Sequence, residues 1–216
     1  MKFELKKELP LMFIVALPFM YMYFIWNELA DKVPLHWNYK GEVDRYGSKY
    51  ELILIPFLLP FLIYVLFLII PLIDPKGKIE KMGKKFYSLK FILTTGMSIL
   101  AIYIIYSSKV EKIANPNMII LGVGALYLIL GNYFKTIKPN YFIGIKTPWT
   151  LENETVWNET HKLSGKMWFV GGLLVIILAL ILNQKLLYQV FIGITIFITL
   201  VPIVYSYIRY KKYKTQ

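Results

Sequence analysis

Cysteine is absent from the 216 residues of this sequence, which excludes disulfide bonds, thiolate nucleophiles and cysteine-bound metals. Charge is also scarce, because Asp, Glu, Lys and Arg supply 18% of the residues, against about 25% in soluble domains. Only two histidines are present, His36 and His161, and neither stands in a metalloprotease or zinc-finger spacing. No serine elbow and no Walker phosphate loop is found. We therefore predict no metal, no cofactor and no catalytic site, and we do not expect an enzyme.

The hydrophobic residues, 57% of the chain, are concentrated in long runs that lack Asp, Glu, Lys, Arg and His. The runs of at least 18 residues are Leu9–Asn27, Leu52–Ile73, Phe91–Ser108, Ile113–Phe134, Met167–Gln184 and Leu186–Ile208. About 20 apolar residues cross the hydrocarbon core of a bilayer as a helix. The sequence therefore predicts an all-α integral membrane protein with six transmembrane helices. A signal peptide is the alternative for the first run, but no small-residue cleavage site follows it, which favours a retained helix.

Two local patterns refine this prediction. The last two runs are separated by Lys185 alone, so the Asn183-Gln184-Lys185 stretch predicts a tight turn between two helices. Gly124 and Gly131 stand seven residues apart and share one face of the fourth predicted helix. Glycines at that spacing let a neighbouring helix approach closely.

The basic residues indicate the orientation of the predicted spans. Of the 25 Lys and Arg residues, 18 lie in the segments on the side of the two chain ends, Lys2 and Lys76 among them, and seven lie on the opposite side. Because cytoplasmic segments carry the excess of Lys and Arg, we predict that both termini are cytoplasmic. The same distribution accounts for the net charge of +12, so we expect contact with anionic lipid and no direct binding of nucleic acid.

A first polar segment, Asp31–Lys49, is predicted to lie outside the cell. Its positive and negative charges nearly cancel, Pro34 stiffens its start and Gly41 supplies a turn. Aromatic side chains surround these residues. Two interpretations stand side by side: an interfacial aromatic belt on a short loop, or a recognition surface.

A second polar segment, Lys135–Lys166, is predicted to lie in the cytoplasm. Pro148 disfavours a helical conformation for the residue before it. Thr150 then predicts an N-cap for a short, weakly amphipathic helix that runs toward His161 and lies at the membrane surface before the fifth span. This segment is interpreted either as an elbow that positions the fifth span or as a docking element.

These two segments carry a resemblance to a known family, the SdpI-type immunity proteins of Gram-positive bacteria. The N-terminal part resembles the family's two-helix domain through Pro34, His36, Trp37, Asn38, Gly41, Asp44 and Lys49. The C-terminal part is closer to the family. It is similar through Gly131-Asn132, Pro139-Asn140, the run Ile143-Gly144-Ile145-Lys146-Thr147-Pro148-Trp149-Thr150-Leu151, Trp157, His161 and Gly165. Lys146 departs from the family, which commonly has arginine there, so the charge is kept and the bidentate fork is lost.

The resemblance implies a domain plan and a set of site residues. It implies a two-helix N-terminal domain at 1–75 with an extracellular loop at 29–50, a basic linker at 76–90, and a four-helix C-terminal domain at 91–216 with a cytoplasmic loop at 135–166. The residues quoted from the first segment would face a toxin. The implied cytoplasmic motif consists of Asn132, Pro139, Asn140, Gly144, Lys146, Thr147, Pro148, Trp149, Thr150, Trp157 and His161.

The function that the resemblance implies is membrane immunity against an extracellular antimicrobial peptide, the sporulation-delaying toxin. It also implies a signal relay in which a cytoplasmic transcriptional repressor is held at the membrane. The expected location is the cell membrane of a Gram-positive-type bacterium. A small transporter or channel is the alternative, disfavoured because the hydrophobic runs contain no ionisable groups for ion coupling.

Overall fold

The computed structural model describes residues 4–75, 77–113 and 115–214, so Lys2 and Lys76 of the orientation argument lie outside the described residues. The chain folds into two compact units, Met1–Ala114 and Asn115–Gln216, which we describe separately. The structure is mostly helical, as the sequence predicts.

The first unit contains three long helical segments and one small sheet. Helix α1, Leu5–Ile25, ends in a 3-10 turn at Trp26–Glu28. The second segment, α2, covers Lys49–Ile73 and includes a π-helical turn at Phe57–Phe61. Pro60 lies inside that turn and has no backbone N–H to donate to a regular helix ladder. A short 3-10 turn at Glu80–Met82 precedes α3, Lys84–Lys109.

Strands β1, Lys32–Trp37, and β2, Val43–Ser48, form an antiparallel hairpin between α1 and α2. We refer to Lys32–Ser48 as the hairpin. The sequence predicts a loop here, and the two strands were not expected. The apolar and polar residues do not alternate cleanly, and the pairing is irregular between Pro34 and Trp37.

The second unit contains three long helices and one short one. These are α4, Asn117–Phe134; α5, Pro148–Glu152; α6, Glu154–Ile181; and α7, Gln184–Lys214. The predicted turn between the last two spans is confirmed, because α6 ends at Ile181 and α7 begins at Gln184. The Asn183 side chain accepts a hydrogen bond from the Leu186 N–H at 3.1 Å, which satisfies one of the free donors at the start of α7.

Helices α4 and α6 pack through glycines, as the spacing of Gly124 and Gly131 predicts. A Cβ atom on Gly131 would lie 2.8 Å from the Gly165 carbonyl oxygen, and one on Gly172 would lie 2.6 Å from the Gly124 carbonyl oxygen. The two glycines of α6 are also seven residues apart. Each helix therefore presents two small residues to the other, and the backbones come into direct contact.

Six helical segments of the described chain are long and apolar enough to cross a membrane: Leu5–Glu28, Lys49–Ile73, Lys84–Lys109, Asn117–Phe134, Glu154–Ile181 and Gln184–Lys214. A helix satisfies its own backbone groups, which is what a chain in lipid requires. The six predicted spans are confirmed. The helices extend beyond the uncharged runs, however, and carry charged residues near their ends. The uncharged runs hold no ionisable groups, as stated, but the longer helices that contain them do.

The division into units differs from the domain plan implied by the resemblance. The contacts group α3 with α1 and α2, whereas the sequence assigned residues 91–216 to one C-terminal domain. Part of the predicted linker is also helical, since α3 already begins at Lys84.

Candidate functional site

The turn of the hairpin is organised by Asn38. Its Oδ1 accepts hydrogen bonds from the backbone N–H groups of Lys40, at 2.8 Å, and Glu42, at 3.2 Å, while its Nδ2 donates to the Glu42 carboxylate at 2.9 Å. Gly41 has a φ of 77°, in the left-handed region that glycine adopts without strain. Both residues were predicted as site residues, and the structure gives them a turn-forming role.

The charged residues of the hairpin pair at its surface. His36 Nδ1 lies 2.5 Å from the Asp44 carboxylate across the two strands, and both side chains are largely exposed. The Lys49 ammonium lies 3.0 Å from Asp31 and 5.6 Å from the centre of the Trp26 ring. These contacts bring the predicted residues His36, Asp44 and Lys49 together around one small sheet.

Two further predicted residues of the hairpin differ in their bonding. Pro34 connects the hairpin to a helix, whereas Trp37 has an unsatisfied side chain. The Pro34 carbonyl accepts a hydrogen bond from Ser108 of α3 at 2.9 Å, so β1 is tied to that helix. The indole nitrogen of Trp37 is buried and has no hydrogen-bond partner among the described residues. A buried indole N–H usually has a partner, so the Trp37 side chain carries an unsatisfied buried donor.

In the second unit the predicted motif folds into a compact polar core, which we call the junction. It consists of Asn140, Gly144, Ile145, Thr147, Thr150, Trp157 and His161, packed against Ser206 of α7. Asn140 is 2% exposed, and its side chain makes four hydrogen bonds. The amide oxygen accepts from the N–H groups of Phe142 and Ile143, and the amide nitrogen donates to the carbonyls of Lys138 and Ile143. Asn140 thus closes the turn that leads from α4 toward the motif.

His161 lies at the centre of the junction and is 1% exposed. Its Nε2 accepts a hydrogen bond from the Ile145 N–H at 3.0 Å, and its Nδ1 lies 2.8 Å from the Trp157 carbonyl. A carbonyl can only accept, so Nδ1 carries the hydrogen and Nε2 does not, which requires a neutral ring. The ring stacks on Trp157 with centroids 4.0 Å apart, and the Trp157 indole donates to the Ile137 carbonyl at 2.8 Å.

Gly144 leaves the space that His161 occupies. Its φ is +115°, and a Cβ atom there would lie 3.2 Å from the Trp157 ring and closer still to His161 Nε2. Both the backbone conformation and the close contact require glycine at this position.

The predicted helix cap was placed wrongly. Thr147, and not Thr150, is the N-cap of α5, with Pro148 as the first helical residue. The hydroxyl of Thr150 instead donates inward to the Ile145 carbonyl at 2.9 Å. A short helix does precede the fifth span, but it stops at Glu152. The segment from Glu154 to His161 already belongs to the long helix α6, whose cap is Asn153.

The C-terminal half of α7 closes the junction, a contribution that was not predicted from the sequence. Ser206 accepts a hydrogen bond from the Trp149 indole and lies 3.4 Å from the Thr147 hydroxyl. One turn further on, the Arg209 guanidinium binds the Glu159 carboxylate through two nitrogens, at 2.5 and 2.7 Å. These partners are 50 or more residues apart in sequence, so no local pattern connects them.

The remaining predicted motif residues lie outside this core. Lys146 and Pro148 are exposed, and the Lys146 ammonium donates to the Phe142 carbonyl at 3.1 Å. Asn132 is exposed on α4, and Pro139 is half-buried beside Asn140. The motif therefore divides into a buried framework and a few exposed side chains.

One further polar site was not predicted. In the first unit, Lys90 of α3 donates to the Glu8 carboxylate of α1 at 2.5 Å, and the two residues are 1% and 4% exposed. The Lys90 ammonium also lies 5.3 Å from the Tyr87 ring and 5.8 Å from the Tyr64 ring. The uncharged runs begin at residues 9 and 91, so the pair falls one residue outside each run, although both residues are helical.

Metal-binding chemistry has no counterpart in the described part of the chain, where no three His, Cys, Asp or Glu side chains form a group able to hold a metal ion. The geometry is that of an exposed charged hairpin in one unit and a buried hydrogen-bonded junction in the other.

Comparison with known proteins supports the resemblance. Residues 136–206 match the model of the SdpI/YfhL protein family, and residues 13–59 match a domain of unknown function, DUF1648. Immunity protein SdpI of Bacillus subtilis (strain 168) is 25% identical over 212 residues, which cover 96% of this chain and 98% of that protein.

The chain is related to the SdpI-type immunity proteins. That family is one of immunity proteins and not of enzymes. The SdpI match contains the whole junction together with Ser206, and the DUF1648 match contains the hairpin. No solved structure matches the chain. With its six apolar helices, this SdpI relative is a multi-pass membrane protein that resides in a lipid bilayer.

Proposed function

We propose that this protein is an immunity protein of the cell membrane that protects the bacterium carrying it, of Gram-positive type, from an extracellular antimicrobial peptide. The observation that carries the proposal is the nearly end-to-end relation to immunity protein SdpI of Bacillus subtilis. The hairpin supports it, because an exposed, charged and turn-stabilised element between two spans offers a peptide a defined surface.

The direct test is survival. A toxin-sensitive host that expresses the protein should withstand purified sporulation-delaying toxin at concentrations that kill the host alone. The variant with His36→Ala and Trp37→Ala should lose protection while it still accumulates in the membrane, since interface energy concentrates in such side chains. Tyr23→Ala, which removes an 80% exposed aromatic ring from α1, is the matched control and should protect like the parent. If the parent gives no protection, the proposal fails.

The proposal includes an orientation with both termini in the cytoplasm, the hairpin outside and the junction inside. The distribution of lysines supports this orientation. Because the chain has no cysteine, single cysteines can report on it. Lys40→Cys in the hairpin turn should react with an impermeant thiol reagent on intact cells. Asn158→Cys, at an exposed position of α6, should react only after permeabilisation. Labelling of both positions from outside would contradict the orientation.

The finer proposal is a signal relay through the exposed residues around the junction. A cytoplasmic repressor would bind there, and Lys146 is its best candidate contact because its charge is at the surface. Lys146→Ala should reduce co-purification of the repressor with the membrane while survival under toxin persists. Trp157→Ala is the contrasting variant, which should lower both functions together with the amount of folded protein. Equal losses in the two variants at equal abundance would contradict a separate relay surface.

A small transporter is the second candidate function, and the buried Glu8–Lys90 pair favours it. Ionisable residues within membrane helices commonly mark ion or proton pathways. Proteoliposomes that contain the purified protein would show flux driven by a pH gradient if this function holds. Flux that is unchanged by Glu8→Gln would remove the observation on which this candidate rests.

A further inference from the structure

The hairpin has one strand edge, the outer edge of β2, on which some backbone groups are free. The Lys49 N–H donates to the Asp31 carbonyl at 3.0 Å, so Asp31 and Lys49 form a hydrogen-bonded pair. In an antiparallel ladder such pairs alternate with pairs whose N–H and C=O groups point away from the partner strand. Counting along the observed register, the pair formed by Pro34 and Tyr46 is of the second kind.

Two contacts agree with this assignment. Pro34 has no N–H to give to the ladder, and its carbonyl points away from β2 and accepts from Ser108. The Ser48 N–H also points outward, and the Glu51 carboxylate accepts its hydrogen bond at 3.0 Å. The outer edge of β1 is therefore held by α3, and one outward group of β2 is already satisfied.

Tyr46 is the residue of β2 whose outward backbone groups remain free. Its N–H and C=O point to the outer side of β2, and in the described part of the chain they make no hydrogen bond outside the ladder. Its side chain is 53% exposed. A strand edge with a free donor and acceptor is a template for another strand.

The charges of the hairpin indicate what kind of strand would fit. Each carboxylate has a partner: Asp31 binds Lys49, Asp44 binds His36, and Glu42 binds Asn38. By contrast, the side chains of Lys32, Lys40 and Arg45 form no ion pair or hydrogen bond among the described residues. The cations without a bonded partner thus lie on both strands and at the turn, where Glu42, bonded only to a neutral amide, keeps its negative charge.

We propose that the free edge of β2 binds an extended peptide segment that carries carboxylate groups, and that this segment adds a third strand paired with Tyr46. This proposal rests on the proposed function, because the peptide is taken to be the toxin. Backbone hydrogen bonds would supply affinity that depends little on the peptide's sequence, and the free cations would select for carboxylates.

Two substitutions at Tyr46 separate the contribution of the free backbone edge to toxin binding from that of the tyrosine side chain. Tyr46→Pro removes the outward N–H without removing a ladder hydrogen bond, and proline is tolerated on an edge strand where the N–H faces solvent. The opposite member of this pair is already proline in the native chain. Tyr46→Ala is the matched control, because it removes the same ring and keeps the N–H. Purified sporulation-delaying toxin should bind Tyr46→Pro about tenfold more weakly than Tyr46→Ala, the equivalent of about one net hydrogen bond.

Amide hydrogen exchange on the parent protein tests the same point without a substitution. The Tyr46 amide should exchange quickly in the free protein and become protected when toxin is added. The Lys49 amide, which donates to Asp31, reports whether the hairpin remains folded in each variant.

The outcomes separate the two proposals. If the parent neither binds toxin nor protects cells, the proposed function and the edge both fail. If the parent binds but the two Tyr46 variants bind equally and the Tyr46 amide stays unprotected, only the edge proposal fails. Protection of Tyr46 that rises with protein concentration in the absence of toxin would assign the edge to a second copy of this chain and would overturn the proposal.

Discussion

The hairpin and the junction contain the same kinds of residue and use them in opposite ways. Both contain a tryptophan, a histidine and an asparagine within otherwise apolar surroundings. In the hairpin, side chains bond to one another at the surface, as His36 does with Asp44. Several basic side chains of the hairpin have no bonded partner. In the junction, the side chains of Asn140 and His161 bond to nearby backbone groups and are buried. The same residue types therefore form an exposed surface in one unit and a buried framework in the other.

The largest expected effect comes from removing the central aromatic of the junction. Trp157 is completely buried, and its indole satisfies the Ile137 carbonyl. Trp157→Ala should lower the free energy of unfolding by about 3–5 kcal/mol. The half-buried Trp37, replaced by Ala in the hairpin, should cost clearly less. Chemical unfolding in detergent measures both, and equal losses would contradict the contrast between the two regions.

Gly144→Ala should be the next most damaging change. The φ of +115° strains any other residue, and the new Cβ would collide with His161. We expect a loss of about 1–3 kcal/mol in unfolding free energy. Gly83→Ala measures the part of this loss that comes from backbone conformation alone, because Gly83 has a φ of +53° and nothing within 4 Å of its Cβ position. If the two variants lose the same stability, the contact with His161 is not a cause.

The two histidines give a direct comparison of the regions. His161→Phe keeps a ring against Trp157 but leaves the Ile145 N–H without its acceptor, which should cost about 1–3 kcal/mol. His36→Phe loses only an exposed contact and should change stability by about 0.5 kcal/mol or less. Thermal unfolding of both variants decides the matter. A larger loss for the hairpin variant would reverse our assignment of the two roles.

The smallest expected effects concern the ion pairs. Asp31→Asn removes a partner that is 94% exposed, so it should cost about 0–1 kcal/mol, and added salt should erase the difference. Arg209→Lys should lower the unfolding midpoint more, because the two-point contact with Glu159 becomes a single one. Similar midpoints for the two variants in low salt would show that the fork contributes nothing.

The features that the sequence predicts correctly are those that depend on residues close together in the chain. The spans and the turn at Asn183 depend on neighbouring residues, and the Gly124 and Gly131 face depends on one helical period. The cap at Thr147 was also within reach, because proline is favoured at the first helical position and Pro148 follows it. The two strands carried too weak an alternation to be found.

Long-range partners lay beyond sequence reasoning. Ser206 and Arg209 act through residues 50 or more positions away, and nothing in either local sequence marks that pairing. The interior of the junction was missed for the same reason. The sequence places His161 and Trp157 in the implied cytoplasmic motif, but it does not show that the fold buries both.

The ion pair between α1 and α3 has a consequence for how the chain is made. Glu8 precedes Lys90 by 82 residues, which takes about 4–16 s to synthesise at about 5–20 residues per second. During that interval a carboxylate destined for burial has no counter-charge, and burying a lone charge costs several kcal/mol.

The first helix should therefore stay at the membrane surface until the third is made. A truncated chain that ends at residue 83, released from the ribosome into the membrane, should leave a cysteine placed at Leu11 reactive, and one that ends at residue 113 should shield it. Equal reactivity would mean that α1 inserts alone. Otherwise the order of synthesis determines the order of insertion, because the first helix enters the membrane only once the third helix supplies its counter-charge.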